Sequence, residues 1–148
     1  MTAFYATSGD RLRISVEKGL IKLPEDLTVP IICVGPGTGV APMRSVIEER
    51  VDAGSNGAEG LIQVLQTDSD SRAALTLYFG CRSEHKDQHY GAEWKMYSEN
   101  GQIAYRVAFS RDGPEGSKRT YVQDLLKQDK ERVWDLLGEQ QGTLIISG

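Results

Sequence analysis

Apolar and polar positions follow two periods along this chain. Residues 29–34, Val-Pro-Ile-Ile-Cys-Val, form an unbroken apolar run rich in β-branched side chains and ended by glycines, the pattern of a strand buried on both faces of a parallel sheet. Beyond the glycines, Met43, Val46, Ile47 and Val51 recur at helical spacing. A helix is therefore expected from Pro42 to near Ala53, with the proline in the first turn, where its missing N–H costs little. The same reading gives a second strand at 75–79, a helix at 90–99, a third strand at 103–109 and a last strand at 143–146. Residues 122–137 carry Val122, Leu125, Leu126, Val133, Trp134 and Leu137 at helical spacing, in two pieces near Asp129. Near the start, Leu12, Ile14 and Val16 lie on one face of residues 10–17 in strand alternation. Residues 54–73, rich in Gly, Ser, Asn and Asp, read as a long surface loop, and residues 111–118 as a shorter polar one. Strand and helix alternate through most of the chain, which predicts an α/β fold with a parallel sheet and helices on both faces.

Composition narrows the function classes. A length of 148 residues suits one domain with a real core, and 39% hydrophobic with 26% charged residues is ordinary for a soluble globular protein. The formal charge of −4 argues against a nucleic-acid partner, since a phosphate backbone is met by a basic face. No apolar run is long enough for a membrane span and no basic-then-apolar leader appears, so neither membrane insertion nor secretion is expected. Cys33 and Cys81 stand far apart with no C-x-x-C pair, which leaves no zinc or disulfide framework and makes a reducing cytosol natural. His85 and His89 have the spacing of a metal pair beside Glu84 and Asp87. No third ligand with suitable spacing follows, so a solvated helix start is the preferred reading and no metal is expected.

The candidate chemistry gathers at the glycine turn Gly35-Pro36-Gly37-Thr38-Gly39 between the first strand and the first helix. A sharp turn at a helix N-terminus offers unpaired N–H groups and a partial positive charge, and Thr38 adds a hydroxyl, so a diphosphate is a fitting ligand. A P-loop is excluded, because Val40-Ala41 occupies the place of its Lys and Ser/Thr. The G-x-G-x-x-G fingerprint also fails, with Val40 where the third glycine belongs. On the turn alone, a plain strand-to-helix connection stands level with a nucleotide site.

Further motifs follow in order: Tyr78-Phe79-Gly80-Cys81-Arg82, then Ala108-Phe109-Ser110-Arg111, then Tyr121-Val122-Gln123. With Gly35 to Pro42 they resemble the Rossmann-like NADP-binding domain of the ferredoxin–NADP reductase superfamily, in the form used by diflavin reductases. The likeness covers nearly all of the chain and is to the branch that supplies electrons to cytosolic iron–sulfur protein assembly. It implies NADPH as the ligand of this domain, FAD and FMN elsewhere in a full-length enzyme, an anamorsin-like iron–sulfur protein as acceptor, and a cytoplasmic setting. It also implies that residues 1–24 are a remnant of the FAD-binding barrel with its linker and that residues 25–148 are the NADP(H)-binding domain, truncated at its C-terminus and inactive alone.

In an open parallel sheet, ligands bind beyond the carboxyl ends of the strands, where Gly35 to Gly39, Gly80 to Arg82, Ser110-Arg111 and Gly148 all fall. The resemblance assigns the diphosphate to Gly35, Pro36, Gly37, Thr38 and Gly39, and the nicotinamide and diphosphate end to Cys81 and Arg82. Ser110, Arg111, Arg119 and Tyr121 resemble the group that receives the adenosine 2′-phosphate, with Lys118 beside them and Gln123 completing the last motif. The chemistry suits this: a guanidinium pairs a phosphate bidentately and an aromatic face stacks on adenine. A solvated basic loop is the bland alternative, and for Cys81 a buried structural thiol. Ser-Arg at a strand end, with no acidic residue directly at the end of the second strand, favours NADPH over NADH.

Two positions depart from the family pattern. Arg119 stands where the family often has Lys, and Ser147 where many diflavin reductases carry Cys near the site of hydride transfer. Ser147 is the nicotinamide-proximal candidate on the catalytic side. Two other readings stay open: a relative with another acceptor, such as a sulfite reductase flavoprotein, and a nucleotide-sensing or interaction module that has kept the fold and lost catalysis.

Overall fold

A computed structural model of the chain describes residues 9, 11, 13, 15, 19–56, 74–114 and 118–148. The strands are β1 (Ile31–Pro36), β2 (Leu75–Cys81), β3 (Ala104–Phe109) and β4 (Thr143–Ile146). All pair in parallel, in the order β3-β2-β1-β4. The helices are α1 (Val40–Asn56), α2 (Glu84–Asp87), α3 (Gly91–Glu99), α4 (Val122–Gln128) and α5 (Lys130–Trp134). A 3-10 turn at Gly37–Gly39 joins β1 to α1, and a π-helical turn at Asp135–Glu139 follows α5.

The period of two in the strands divides the core. Ile31 and Cys33 of β1, with Leu75, Leu77 and Phe79 of β2, pack on one face under α1 and α3. Ile32, Val34, Tyr78 and Ala108 point the other way, under Val122 and Leu125 of α4 and Leu136. The helices therefore cover both faces, as expected for α/β. Each fully buried aliphatic or aromatic side chain contributes about 2 kcal/mol of transfer free energy, so the centre of the sheet is the most stable part of the fold. Trp94 is fully buried, its indole N–H donating to His89 O at 2.9 Å. Trp134, which falls at helical spacing with Val122, Leu126 and Leu137, is 69% exposed.

Beneath the second face lies a polar node. Asp129, at the break between α4 and α5, accepts the Tyr78 hydroxyl at 3.0 Å and both Nε and Nη2 of Arg106 at 2.9 and 3.0 Å. The break expected near Asp129 thus has a physical cause: a buried tyrosine hydroxyl and an arginine fork both need its carboxylate. At the amino-terminal end of the strands, Arg50 is buried on α1 and donates to Pro24 O at 2.8 Å and Asp26 O at 3.2 Å. It ties the segment before β1 to the domain, and Asp26 in turn accepts both the N–H and the hydroxyl of Thr28.

Boundaries differ from expectation at a few places. α1 starts at Val40 rather than Pro42 and takes in residues 54–56 of the expected loop; Pro42 still sits in the first turn. The remainder of that loop, 57–73, and the strand expected from Leu12, Ile14 and Val16 lie outside the described residues. No helix among the described residues is long and apolar enough to cross a membrane.

Candidate functional site

The turns that leave β1 and β2, the end of β3 and the start of α4 enclose one open cleft of about 430 Å³ at the carboxyl edge of the sheet. Its size falls in the range of small-molecule sites. Pro36, Gly37 and Thr38 line it from the turn after β1, Cys81 and Arg82 from the end of β2, and Ser110, Tyr121 and Gln123 from the end of β3 and the start of α4. A second cavity, of about 50 Å³, lies at the opposite end of the strands among Leu27, Val51 and Leu75; it is too small for a nucleotide.

The glycines of the turn do different things. Gly37 has φ +57°, a left-handed conformation that glycine adopts without a Cβ penalty, and nothing stands within 4 Å of where a Cβ would be. Gly39 is buried against the chain leaving β4, and a Cβ there would overlap Ser147 O and come within 2.9 Å of Gly148 Cα. A Cβ on Gly35 would lie 2.8 Å from Val40 Cα. Gly35 and Gly39 therefore let backbones approach, and only Pro36, Gly37 and Thr38 of the turn face the cleft. The early N–H groups of such a run lack intrahelical partners, which suits an anion.

Arg82 and Asp87 form a bidentate pair at the rim, Nη2 to Oδ1 at 2.7 Å and Nε to Oδ2 at 3.0 Å. Hydrogen bonding to Arg82 holds the Asp87 carboxyl below its ordinary range, and the same contact raises the guanidinium. Asp112 accepts the N–H of Glu84 at 2.7 Å, which holds its own carboxyl low and caps the start of α2. Two backbone bonds carry the β2–β3 pairing past the strands: Ser110 N–H to Cys81 O at 3.0 Å and Arg111 N–H to Arg82 O at 2.8 Å. Across the cleft, Tyr121 N–H donates to Asp124 Oδ2 at 2.9 Å, fixing the tyrosine at the start of α4.

Cys81 belongs to the core beneath the cleft, and burial pushes its thiol up to about 11. It lines the cleft and packs as a small hydrophobe at once. Cys33 is wholly buried in β1, its thiol pushed up to about 12. Arg111, Lys118 and Arg119 are exposed and outside the lining, although Arg111 is held beside Arg82 through the main chain. Ser147 also lies outside the lining; its N–H donates to Val34 O at 3.0 Å and its carbonyl packs on Gly39. Sequence reasoning passed over Asp87, His89 and Thr120 as cleft residues. For Asp87 the available signal was Arg82, an exposed charge at a glycine turn with an acidic residue five positions on.

The donor set fits a nicotinamide dinucleotide phosphate. Thr38 and Ser110 bring hydroxyls and Arg82 a guanidinium to the cleft lining, groups that can meet phosphate oxygens. Comparison with known proteins agrees. NADPH-dependent diflavin oxidoreductase 1 of Danio rerio is 40% identical over 133 residues, 90% of this chain and 19% of the relative. Its counterpart in Xenopus laevis is 38% identical over 139 residues, 94% of this chain and 20% of the relative. NADPH–cytochrome P450 reductase of Musca domestica is 36% identical over 138 residues, 93% of this chain and 18% of the relative. The chain thus spans about a fifth of the length of these curated relatives. Residues 33–148, from β1 through the whole cleft, match the model of the oxidoreductase NAD-binding domain, and the chain belongs to that family.

Proposed function

We propose that this chain binds NADPH as the nucleotide-binding domain of a diflavin reductase. The observation that carries the reading is the convergence in one cleft of the 36–38 turn, Arg82, Ser110 and Tyr121 from four separate segments. The turn and Arg82 hold the diphosphate; Ser110, Arg111, Lys118 and Arg119 receive the 2′-phosphate; Tyr121 stacks on adenine with Gln123 beside it. Bound NADPH supplies a hydride, and the task of these residues is to bind and orient it. Ser147, with its N–H bonded to Val34 O, is the nicotinamide-proximal residue on this reading.

In the full-length enzyme, electrons pass from NADPH to FAD and FMN and then to an iron–sulfur protein in cytosolic cluster assembly. The names of the Danio and Xenopus relatives support the diflavin part of this reading. The match to a cytochrome P450 reductase supports a second one, in which the acceptor is of another class. On this reading residues 25–148 are the NADP(H)-binding domain and residues 1–24 a remnant of the FAD-binding barrel with its linker.

The test is a calorimetric titration of the 148-residue chain with 2′,5′-ADP and with 5′-AMP. A charge-assisted hydrogen bond is worth about 1.5–3 kcal/mol, so 2′,5′-ADP is expected to bind at least about tenfold more tightly. Arg111→Ala abolishes the preference. Equal affinity, or no binding of either nucleotide, refutes the proposal and favours an interaction module.

A further inference from the structure

One contact at the cleft serves neither the core nor, by itself, the ligand. The Arg82 guanidinium, which lines the cleft together with His89, is spent on Asp87 through two of its N–H donors. A carboxylate and a phosphate present an arginine fork with the same bidentate geometry, so Asp87 stands where a phosphate oxygen pair would stand. Both side chains line the cleft together with Gly37 and Thr38. The two partners are unequally placed: Arg82 is 62% exposed and able to swing, whereas Asp87 is 24% exposed. Asp87 ends α2, a short helix whose first N–H is held by Asp112. Asp112 directly follows Ser110-Arg111, so α2, and Asp87 with it, is tied through Glu84 N–H to the loop that carries the expected 2′-phosphate group. An exposed pair of this kind is weak enough to be exchanged.

We propose that Asp87 is an internal stand-in anion that holds Arg82 until the nucleotide arrives, so that binding exchanges a carboxylate for a phosphate on one guanidinium. The inference rests on the nucleotide-binding reading above and adds a residue that sets the affinity. The pair keeps the rim neutral in the empty state and fixes the fork at the edge of the site. It also weakens binding by the fraction of time that Arg82 is engaged: if that is about four fifths, the apparent affinity is lowered about fivefold.

The experiment is a calorimetric double-mutant cycle with NADP⁺ on the 148-residue chain, using wild type, Asp87→Asn, Arg82→Gln and the double variant. Asp87→Asn is expected to tighten NADP⁺ binding about three- to tenfold, and to change it less than twofold when Arg82→Gln is already present. An unchanged or weaker affinity in Asp87→Asn overturns the inference. So does an equal gain on the Arg82→Gln background, because Asp87 would then act by general repulsion of the phosphates and not through Arg82. Failure of the wild type to bind NADP⁺ overturns instead the functional reading beneath it, and the two failures are told apart by that first titration.

Discussion

Replacing Gly39 by alanine adds one carbon at the most crowded point of the glycine turn. The new Cβ would overlap Ser147 O, lie 2.5 Å from Ser147 C and 2.9 Å from Gly148 Cα. All three are backbone atoms, which cannot rotate away as a side chain does. Relief requires the chain beyond β4 to move by about an ångström or more, and the bond from Ser147 N–H to Val34 O, 3.0 Å long, is lost with it. Overpacking of this sort costs about 1–3 kcal/mol and the hydrogen bond about 1 kcal/mol, so a loss of about 2–4 kcal/mol is expected. For a domain of this size each kcal/mol moves the midpoint by about 2–4 °C, which makes a fall of about 5–15 °C. Gly37→Ala is the internal comparison. It meets no atoms and is penalised only for its left-handed φ, at about 1–2 kcal/mol. Thermal and urea unfolding followed by circular dichroism measure both. Gly39→Ala melting within 2 °C of wild type, or Gly37→Ala proving the more destabilised of the two, would refute the division of the turn into packing and ligand-facing glycines.

Two further outcomes follow from the core. Asp129→Ala strands the buried Tyr78 hydroxyl and the Arg106 fork and should cost about 2–3 kcal/mol in urea unfolding, against about 1 kcal/mol for Tyr78→Phe. The double variant should cost less than the sum, and strict additivity would deny the shared node. Burial raises Cys33 to about 12, Cys81 to about 11 and Tyr105 to about 12. Folded values above unfolded ones mean stability that is whole below about pH 8.5 and is lost as pH rises toward 12, by up to about 1.4 kcal/mol per pH unit for each group. Urea midpoints should therefore be insensitive to these groups near pH 7–8 and fall above about pH 9; a midpoint that holds or rises to pH 10.5 contradicts the assignment. Both thiols should also resist alkylation until the protein unfolds.

Much of this architecture was legible from period alone. Strands came out in place because β1 is apolar on both faces and β4 is bounded by turns, and the helix break at Asp129 was visible as a lapse in spacing. What spacing cannot convey is which neighbour a residue meets. Trp94 and Trp134 both fall in expected helices, yet one is buried between α3 and the sheet and the other is left outside. The motif that marks Gly35 and Gly39 as diphosphate residues could not show that Val40 and the chain after β4 also demand their smallness. Cys81 was read as either a site residue or a core residue, and it is at the boundary of both. Asp87 was hidden because its partner lies across the turn of a helix only four residues long.

The two main-chain bonds from Ser110 and Arg111 back to Cys81 and Arg82 make the cleft a continuation of the sheet rather than a loop laid over it. Neighbouring parallel strands sit about 4.8 Å apart, so the distance across the floor is a ruler cut by backbone pairing. Side-chain substitution leaves that ruler unchanged, and so does a change in the length of the connection after Arg111. The width of the cleft is thus a fixed gauge, and its chemistry is left to the groups mounted along that gauge.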